Sequence, residues 1–442
     1  MKQVNLLTDS PRRLFFHYLG PTIGSSMVTS IYILADTIMV GQGVGDALTI
    51  FMPIVASFFA LGLLLGVGGG VLMSVAKGSG NESLAHKYFS TAMISAAVVS
   101  VCFAVFGAIF FDPMMYALGA DTTNIELVRG YGLCYTVSAP LFIFSSSLQS
   151  FIRNDKSPRH AMIAVLTGSG LNILLDYLFI FVFKMGMFGA SFATSIGTSI
   201  TVCILIIHFF TKKNTMRFSF RFFSIKALWE IAKCGFSSFL IECANAVLVF
   251  VFNHTLLKYI GSVGVTVYSI MSNVAVVCMS LFNGVTLAAQ PIIATNHGAD
   301  NHKRVLQVRH IGTITSSVIA VIIFCVGFFF PDLLIYSYVK GPTPEILDLA
   351  RYALRIYFFA YLFMNFNIFF SGYFQSTLRP VAAITIQILR SLLLSSVLVS
   401  VLPMIFGADA IWYAVPITEC ITFFVAMAFL FFGRFQKTKE AK

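Results

Sequence analysis

Residues 160–183 read HAMIAVLTGSGLNILLDYLFIFVF, and this stretch decides the class of fold. An α-helix needs about 20 mostly apolar residues to cross the hydrocarbon of a bilayer. The run is too long and too oily for an ordinary buried helix, yet it holds one acid, Asp176. A charge at the bilayer centre costs roughly 2.5–3.5 kcal/mol on insertion scales, so it is retained for pairing or for function.

The whole chain has the same character. Of its 442 residues, 58% are hydrophobic and only 11% charged, with 47 Phe. A mean hydropathy of +0.87 lies far from that of soluble domains. The expected class is an all-α polytopic membrane protein. A net charge of +11 would point to nucleic acid in a soluble protein. Here the basic residues flank apolar runs, which is a topology signal, and no nucleic-acid partner is expected. The eight Cys lie in or beside apolar runs with no CxxC spacing, which reads as small buried hydrophobes rather than a disulfide or metal set. No removable signal peptide is expected at the N-terminus.

Apolar runs long enough to span a membrane fall near 14–40, 47–76, 88–111, 127–151, 160–183, 186–210, 230–257, 265–295, 308–330, 350–374, 380–404 and 409–433. Twelve spans put both termini on one side. Basic residues crowd that side: Arg12, Arg13, Lys77, Arg153, Lys156, Arg159, Lys303, Arg304, the loop 211–226 and the C-terminal tail. The opposite loops hold Arg129, Lys184, Lys258 and Lys340, with several acids among them. The asymmetry predicts cytoplasmic termini.

The halves echo each other. KGSGNESLAHK (77–87) parallels HGADNHKRV (297–305); LQSFIRNDKSP (148–158) parallels FQSTLRP (374–380); FGASFAT (188–194) parallels FGADAIW (406–412). Six spans per half give both halves one orientation, so the twelve helices are expected as two six-helix bundles related by a pseudo-twofold axis. The predicted division is 1–210, a basic loop 211–229, and 230–442. Two such bundles can rock about a central cleft, which is the geometry of alternating access rather than of a channel.

Intramembrane polar residues then mark the candidate sites. Asp176 lies about 16 residues into span five, roughly 24 Å deep. Asp36 reaches a similar level in span one, and Thr194 in span six. Asn172 stands one turn below Asp176 on the same face, and Tyr32 stands likewise below Asp36. Pro21 can kink span one as a hinge. Two carboxylates, an amide, a hydroxyl and a phenol in a dry bundle make a proton or monovalent-cation site. The second half carries Glu242, Arg390 and Glu419 near mid-membrane. Arg390 takes the place of Asn172, because each precedes the repeated FGA glycine (Gly189, Gly407) by 17 residues, and the counterpart of Asp176 is Leu394. The acidic site is therefore single, and Arg390 is expected to pair with Glu419 or Glu242. GQGVG (41–45) and GVGGG (66–70) lack the Lys-Ser/Thr of a phosphate loop, and Gly62 and Gly66 instead read as close helix contacts. No HExxH is present, so neither a metal site nor an enzyme is expected.

Pro21, Tyr32, ADTIMVGQGVG, FIRNDKSPRHAM, LNILLDYLFIF and GMFGASFAT together resemble the MATE (multidrug and toxic compound extrusion) family, in its bacterial multidrug-exporter branch. The resemblance covers essentially the whole chain. It implies H+- or Na+-coupled antiport of amphipathic, often cationic drugs and a first-lobe cation site on Asp36, Asn172, Asp176 and Thr194; the expected protein is a monomer in the inner or plasma membrane with no cofactor. Glu242 falls where one branch carries a second-lobe Glu. That branch's acid in span ten is missing here, where FMNFNIFFSG has only Asn365 and Asn367. The rival reading is a lipid-linked oligosaccharide or lipid flippase of the related superfamily, which would need a more cationic cleft.

Overall fold

The computed structural model describes residues 4–339 and 341–440, with side chains placed except at 36–49, 246 and 432–440. Among the described residues every regular element is helical. Among the described residues, nine helices are long and apolar enough to cross a bilayer, from Ile50–Gly78 to Ala408–Phe431. Two further spans are each a bent pair: Ile125–Val137 with Ala139–Asn154, bent by 50°, and Pro344–Phe358 with Tyr361–Ser376, bent by 46°. The helix that begins at Pro11 supplies the remaining span. The protein is a multi-pass membrane protein of twelve helices in two bundles.

Local sequence explains one of the two bends and the starts of several spans. Pro140 follows the first bend directly, where its ring disfavours continuing the preceding helix. The second bend, at Phe359 and Ala360, has no proline. Span three begins at an Asn81 cap whose side chain accepts from Leu84 N–H at 3.0 Å; span nine begins at Asn301, which accepts from Arg304 N–H at 3.4 Å. Gly80 and Asp300, just before these caps, both have positive φ. Lys156 and Leu378, after spans four and ten, form another such pair. On the opposite side, Asp112 pairs with Arg129, and Asp332 receives both Nε (2.6 Å) and Nη2 (2.8 Å) of Arg351. The repeat read in the loops thus recurs as backbone geometry and as a duplicated ion pair.

The halves meet through glycines where helices approach backbone to backbone. A Cβ added at Gly78 would lie 2.0 Å from Thr295 O, and one at Gly298 would lie 2.0 Å from Val75 O. Gly68 and Gly235 make similar contacts with Ile231 O and Leu64 O, at 2.3 and 2.0 Å. All four lie toward the end of the bundle that carries the mid-chain linker. Gly62 and Gly66, as expected, sit against Ser146 and Ser147 of span four. The start of span one is shared: Leu14, Phe15 and Tyr18 are buried with Val285, Ile292 and Phe374 of the second half.

The linker 211–224 is anchored rather than loose. Asp155, whose side chain is fully buried, accepts from Lys77 (2.5 Å), His208 (2.9 Å) and Thr215 N–H (3.0 Å). Burial alone would raise this carboxyl, but His208, Lys77 and Thr215 outweigh it and hold it below the ordinary carboxylate range. A depressed folded value means stability that is full at neutral pH, starts to fall near the unfolded pKa of about 3.9, and is lost once pH passes below the folded value. Asp155→Asn should therefore release the linker at neutral pH. Amide hydrogen exchange at Thr215 and Met216 is expected to accelerate at least about tenfold, the scale of one lost charge-assisted hydrogen bond.

Candidate functional site

Spans five and six press together along two glycines. A Cβ on Gly168 would fall 1.8 Å from Thr201 Oγ1, and one on Gly197 would fall 2.8 Å from both Asn172 Cβ and Gly168 O. This approach sets Asn172 opposite Thr194. Asn172 (2% exposed), Asp176 (0%) and Thr194 (1%) are all buried. With the amide oriented to satisfy both ends, Asn172 Nδ2 donates to Asp176 Oδ2 at 3.1 Å, while its oxygen accepts from Thr194 N–H at 3.0 Å and from the Thr194 hydroxyl at 3.3 Å. Asp176 is the last residue of the α-helix Pro158–Asp176, and a π-helical segment, Tyr177–Val182, follows at once. Such insertions gather at functional positions because they re-aim side chains within a continuing helix.

A cavity of about 60 Å³ lies beside this set. Span one contributes Thr29 and Tyr32, span four Ser145 and Gln149, and spans five and six Asn172 and Thr194. Hydroxyls, amides and a neighbouring carboxylate form the hard-oxygen environment that suits a proton or a small monovalent cation. Three of the five expected residues, Tyr32, Asn172 and Thr194, line it; Asp176 is buried one turn beyond Asn172. The fifth, Asp36, lies outside the described residues. Thr29, Ser145 and Gln149 were not anticipated, although Gln149 sits in the repeated LQS/FQS motif. Gly197→Val should force spans five and six apart. Overpacking of this kind costs about 1–3 kcal/mol, visible as a lower unfolding temperature of the purified protein. Gly170→Ala, where nothing lies within 4 Å of the added carbon, should be nearly silent.

The second bundle resolves the choice left for Arg390. Its Nη2 and Nε donate to Glu419 Oε1 at 2.8 and 3.1 Å, and both side chains are buried. Asn367 Nδ2 donates to Glu419 Oε2 (2.7 Å) and to the Glu419 backbone carbonyl (2.9 Å), a third member that the sequence marked as polar but did not link to Glu419. Arg390 lies in a π-helical segment too, Leu389–Leu393, which ends just before Ser395, the counterpart of Tyr177, where the break in span five begins. Glu242 is half-buried on span seven and is in no ion pair among the described residues. The repeat partner of Gln149, Gln375, instead donates to Cys234 O (2.8 Å) and to the Ser238 hydroxyl (3.1 Å), tying span ten to span seven.

Pro21 lies inside a continuous helix, where span one runs between the bundles. A Cβ at the following Gly24 would meet Met162 Sδ of span five at 3.2 Å, and one at Gly284 of span eight would meet Ile23 Cα at 2.8 Å. The Thr22 hydroxyl donates to Tyr18 O at 2.9 Å, occupying a carbonyl beside the one the proline leaves without a donor. Among the described residues no group of three or more His, Cys, Asp and Glu is placed to hold a metal ion.

The chain is 26% identical over 421 residues to the multidrug export protein MepA of Staphylococcus haemolyticus, covering 94% of this chain and 92% of that one. Its fold matches a multidrug resistance MATE transporter described in an outward-facing conformation, with TM-score 0.91, 21% identity, and coverage of 99% and 98%. It also matches a MOP superfamily transporter from Pyrococcus furiosus, described as having a binding pocket of reversed polarity suggesting a different function, with TM-score 0.90, 21% identity, and coverage of 100% and 99%. One fold thus accompanies different pocket polarities, and function has to be argued from the site. The MatE family model matches residues 21–178 and 234–401, a stretch in each half of the sequence, and the chain belongs to the MatE family.

Proposed function

We propose that this protein is a cation-coupled exporter of amphipathic, often cationic compounds, and that it works by alternating access between lobes 1–210 and 230–442 joined by the linker 211–229. The observation that carries the proposal is the buried Asp176–Asn172–Thr194 set beside a small polar cavity. A fully buried carboxylate that accepts from an amide, itself held by a hydroxyl and a backbone N–H, can gain or lose one positive charge, as a proton or as Na+. Asp36 is assigned to the same site from its depth in span one. Loading from outside would change the packing of span one, with Pro21 as the hinge, and expel the drug. The glycine contacts at the linker end fit a state closed on the cytoplasmic side, with both termini on that side.

In the second lobe, Arg390 is neutralised by Glu419. Glu242 therefore remains available to a cationic substrate. That arrangement favours drug cations over a pyrophosphate-linked lipid, which would need uncompensated positive charge. A monomer in the cell membrane suffices for this mechanism. Purified protein in liposomes, loaded with ethidium, should export it when an inward Na+ or H+ gradient is imposed. Equal efflux with and without both gradients would overturn the coupling.

A further inference from the structure

We propose that the mid-chain linker and the groove it caps form a binding site for an anionic phospholipid, with an acyl chain in the groove and the phosphate on Arg217 and Arg221. The groove holds about 420 Å³ and is walled by Phe89 and Met93 of span three, Leu148 of span four, and Val202 and Ile206 of span six. Phe218 of the linker closes one end. From Leu148 to Pro140, which also lines it, the groove follows span four for roughly 12 Å. Its wall is almost wholly apolar and it is open on one side, so a hydrocarbon chain is the occupant it fits.

The charge beside it is what selects a headgroup. Arg217 immediately precedes the capping Phe218, and both Arg217 and Arg221 are exposed. The backbone that carries them is pinned to span three. Ser90 Oγ donates to Arg217 O at 3.3 Å and accepts from Ser219 N–H at 3.1 Å, and Thr91 Oγ1 donates to Phe222 O at 3.3 Å. Met216 is buried, and Thr215 is tied to Asp155. Arg217, next to the groove-lining Phe218, and Arg221 are therefore carried on a backbone fixed against span three, and a planar donor fork of this kind can grip phosphate oxygens. The stretch 211–226 also contains Lys212, Lys213 and Lys226 and no acid. None of these five basic residues is held in an ion pair among the described residues. The exposed Phe220 (77%) and Phe223 (43%), interleaved with the arginines, suit the headgroup region of a bilayer. The proposal is independent of the transport reading.

The test is native mass spectrometry of the full-length protein with dioleoyl phosphatidylglycerol or the matched phosphatidylcholine. Wild type should retain the anionic lipid preferentially. Each basic side chain near an anionic headgroup contributes roughly fivefold, so Arg217→Gln/Arg221→Gln should lower that retention on the order of 20-fold and leave phosphatidylcholine unchanged. Leu148→Trp, which fills the groove, should reduce both lipids, and Lys184→Gln on the opposite face should change neither. The arginines are exposed, so the double variant should fold, and its unfolding temperature in detergent checks this. Equal retention of the two lipids by wild type, or unchanged phosphatidylglycerol retention in a folded Arg217→Gln/Arg221→Gln variant, would overturn the site.

Discussion

Asp176→Asn is expected to reduce gradient-driven ethidium efflux to background while the protein still inserts and folds. The substitution keeps the shape of the side chain and still offers Asn172 an oxygen to bond at the 3.1 Å position. What it removes is the charge. A coupling ion can drive a conformational change only through its differential affinity for the two states. Shifting a two-state equilibrium from 1:99 to 99:1 takes about 5.5 kcal/mol, and a neutral amide cannot supply that difference by exchanging a proton or Na+. Asp36→Asn should have the same phenotype under the shared-site assignment, although Asp36 itself lies outside the described residues. Thr194→Ala should be milder, because the Thr194 backbone N–H still reaches Asn172 at 3.0 Å.

The second large effect is on stability. Glu419→Leu leaves the Arg390 guanidinium buried without its carboxylate, and breaking a buried pair from one side costs about 3–5 kcal/mol. Asn367 loses its carboxylate partner at the same time. The purified variant should unfold at a clearly lower temperature or fail to accumulate. Replacing both partners, Arg390→Met with Glu419→Leu, should recover most of the loss, since a well-packed apolar pair of similar volume is often no less stable than a buried ion pair. Failure of the double variant to improve on the single one would mean that Arg390 is held by more than Glu419. Glu242→Gln, outside this network, breaks no buried pair and should not lower the unfolding temperature as Glu419→Leu does.

Physical necessity set what could be read from the sequence. A bilayer demands long apolar runs and punishes charge, so the spans, the paired loops and the unusual acid at Asp176 were legible. The cost of an unpaired intramembrane charge also required a partner for Arg390 and narrowed it to Glu242 or Glu419, but helix rotation made the choice. Other features carry no such mark. The bend at Phe359 and Ala360 has no proline, and neither π-helical segment has a residue that announces it. Thr29, Ser145 and Gln149 are commonplace in membrane helices, and only packing shows that they face the same cavity as Asn172. Gly62 and Gly66 were read as close contacts, whereas nothing in the sequence distinguishes Gly168 from the neighbouring Gly170, or marks Gly197, as the glycines that bring Asn172 to Thr194.

Coupled export as proposed requires one exchange: the first-lobe carboxylate would release its cation when drug is taken up. The most direct measurement follows proton and Na+ release as ethidium is added to the purified protein in weakly buffered detergent solution. Wild type should release one of the two cations in proportion to the ethidium bound, and Asp176→Asn should bind ethidium without releasing either. Stoichiometric ethidium binding by wild type with no cation released, or equal release from Asp176→Asn, would contradict it.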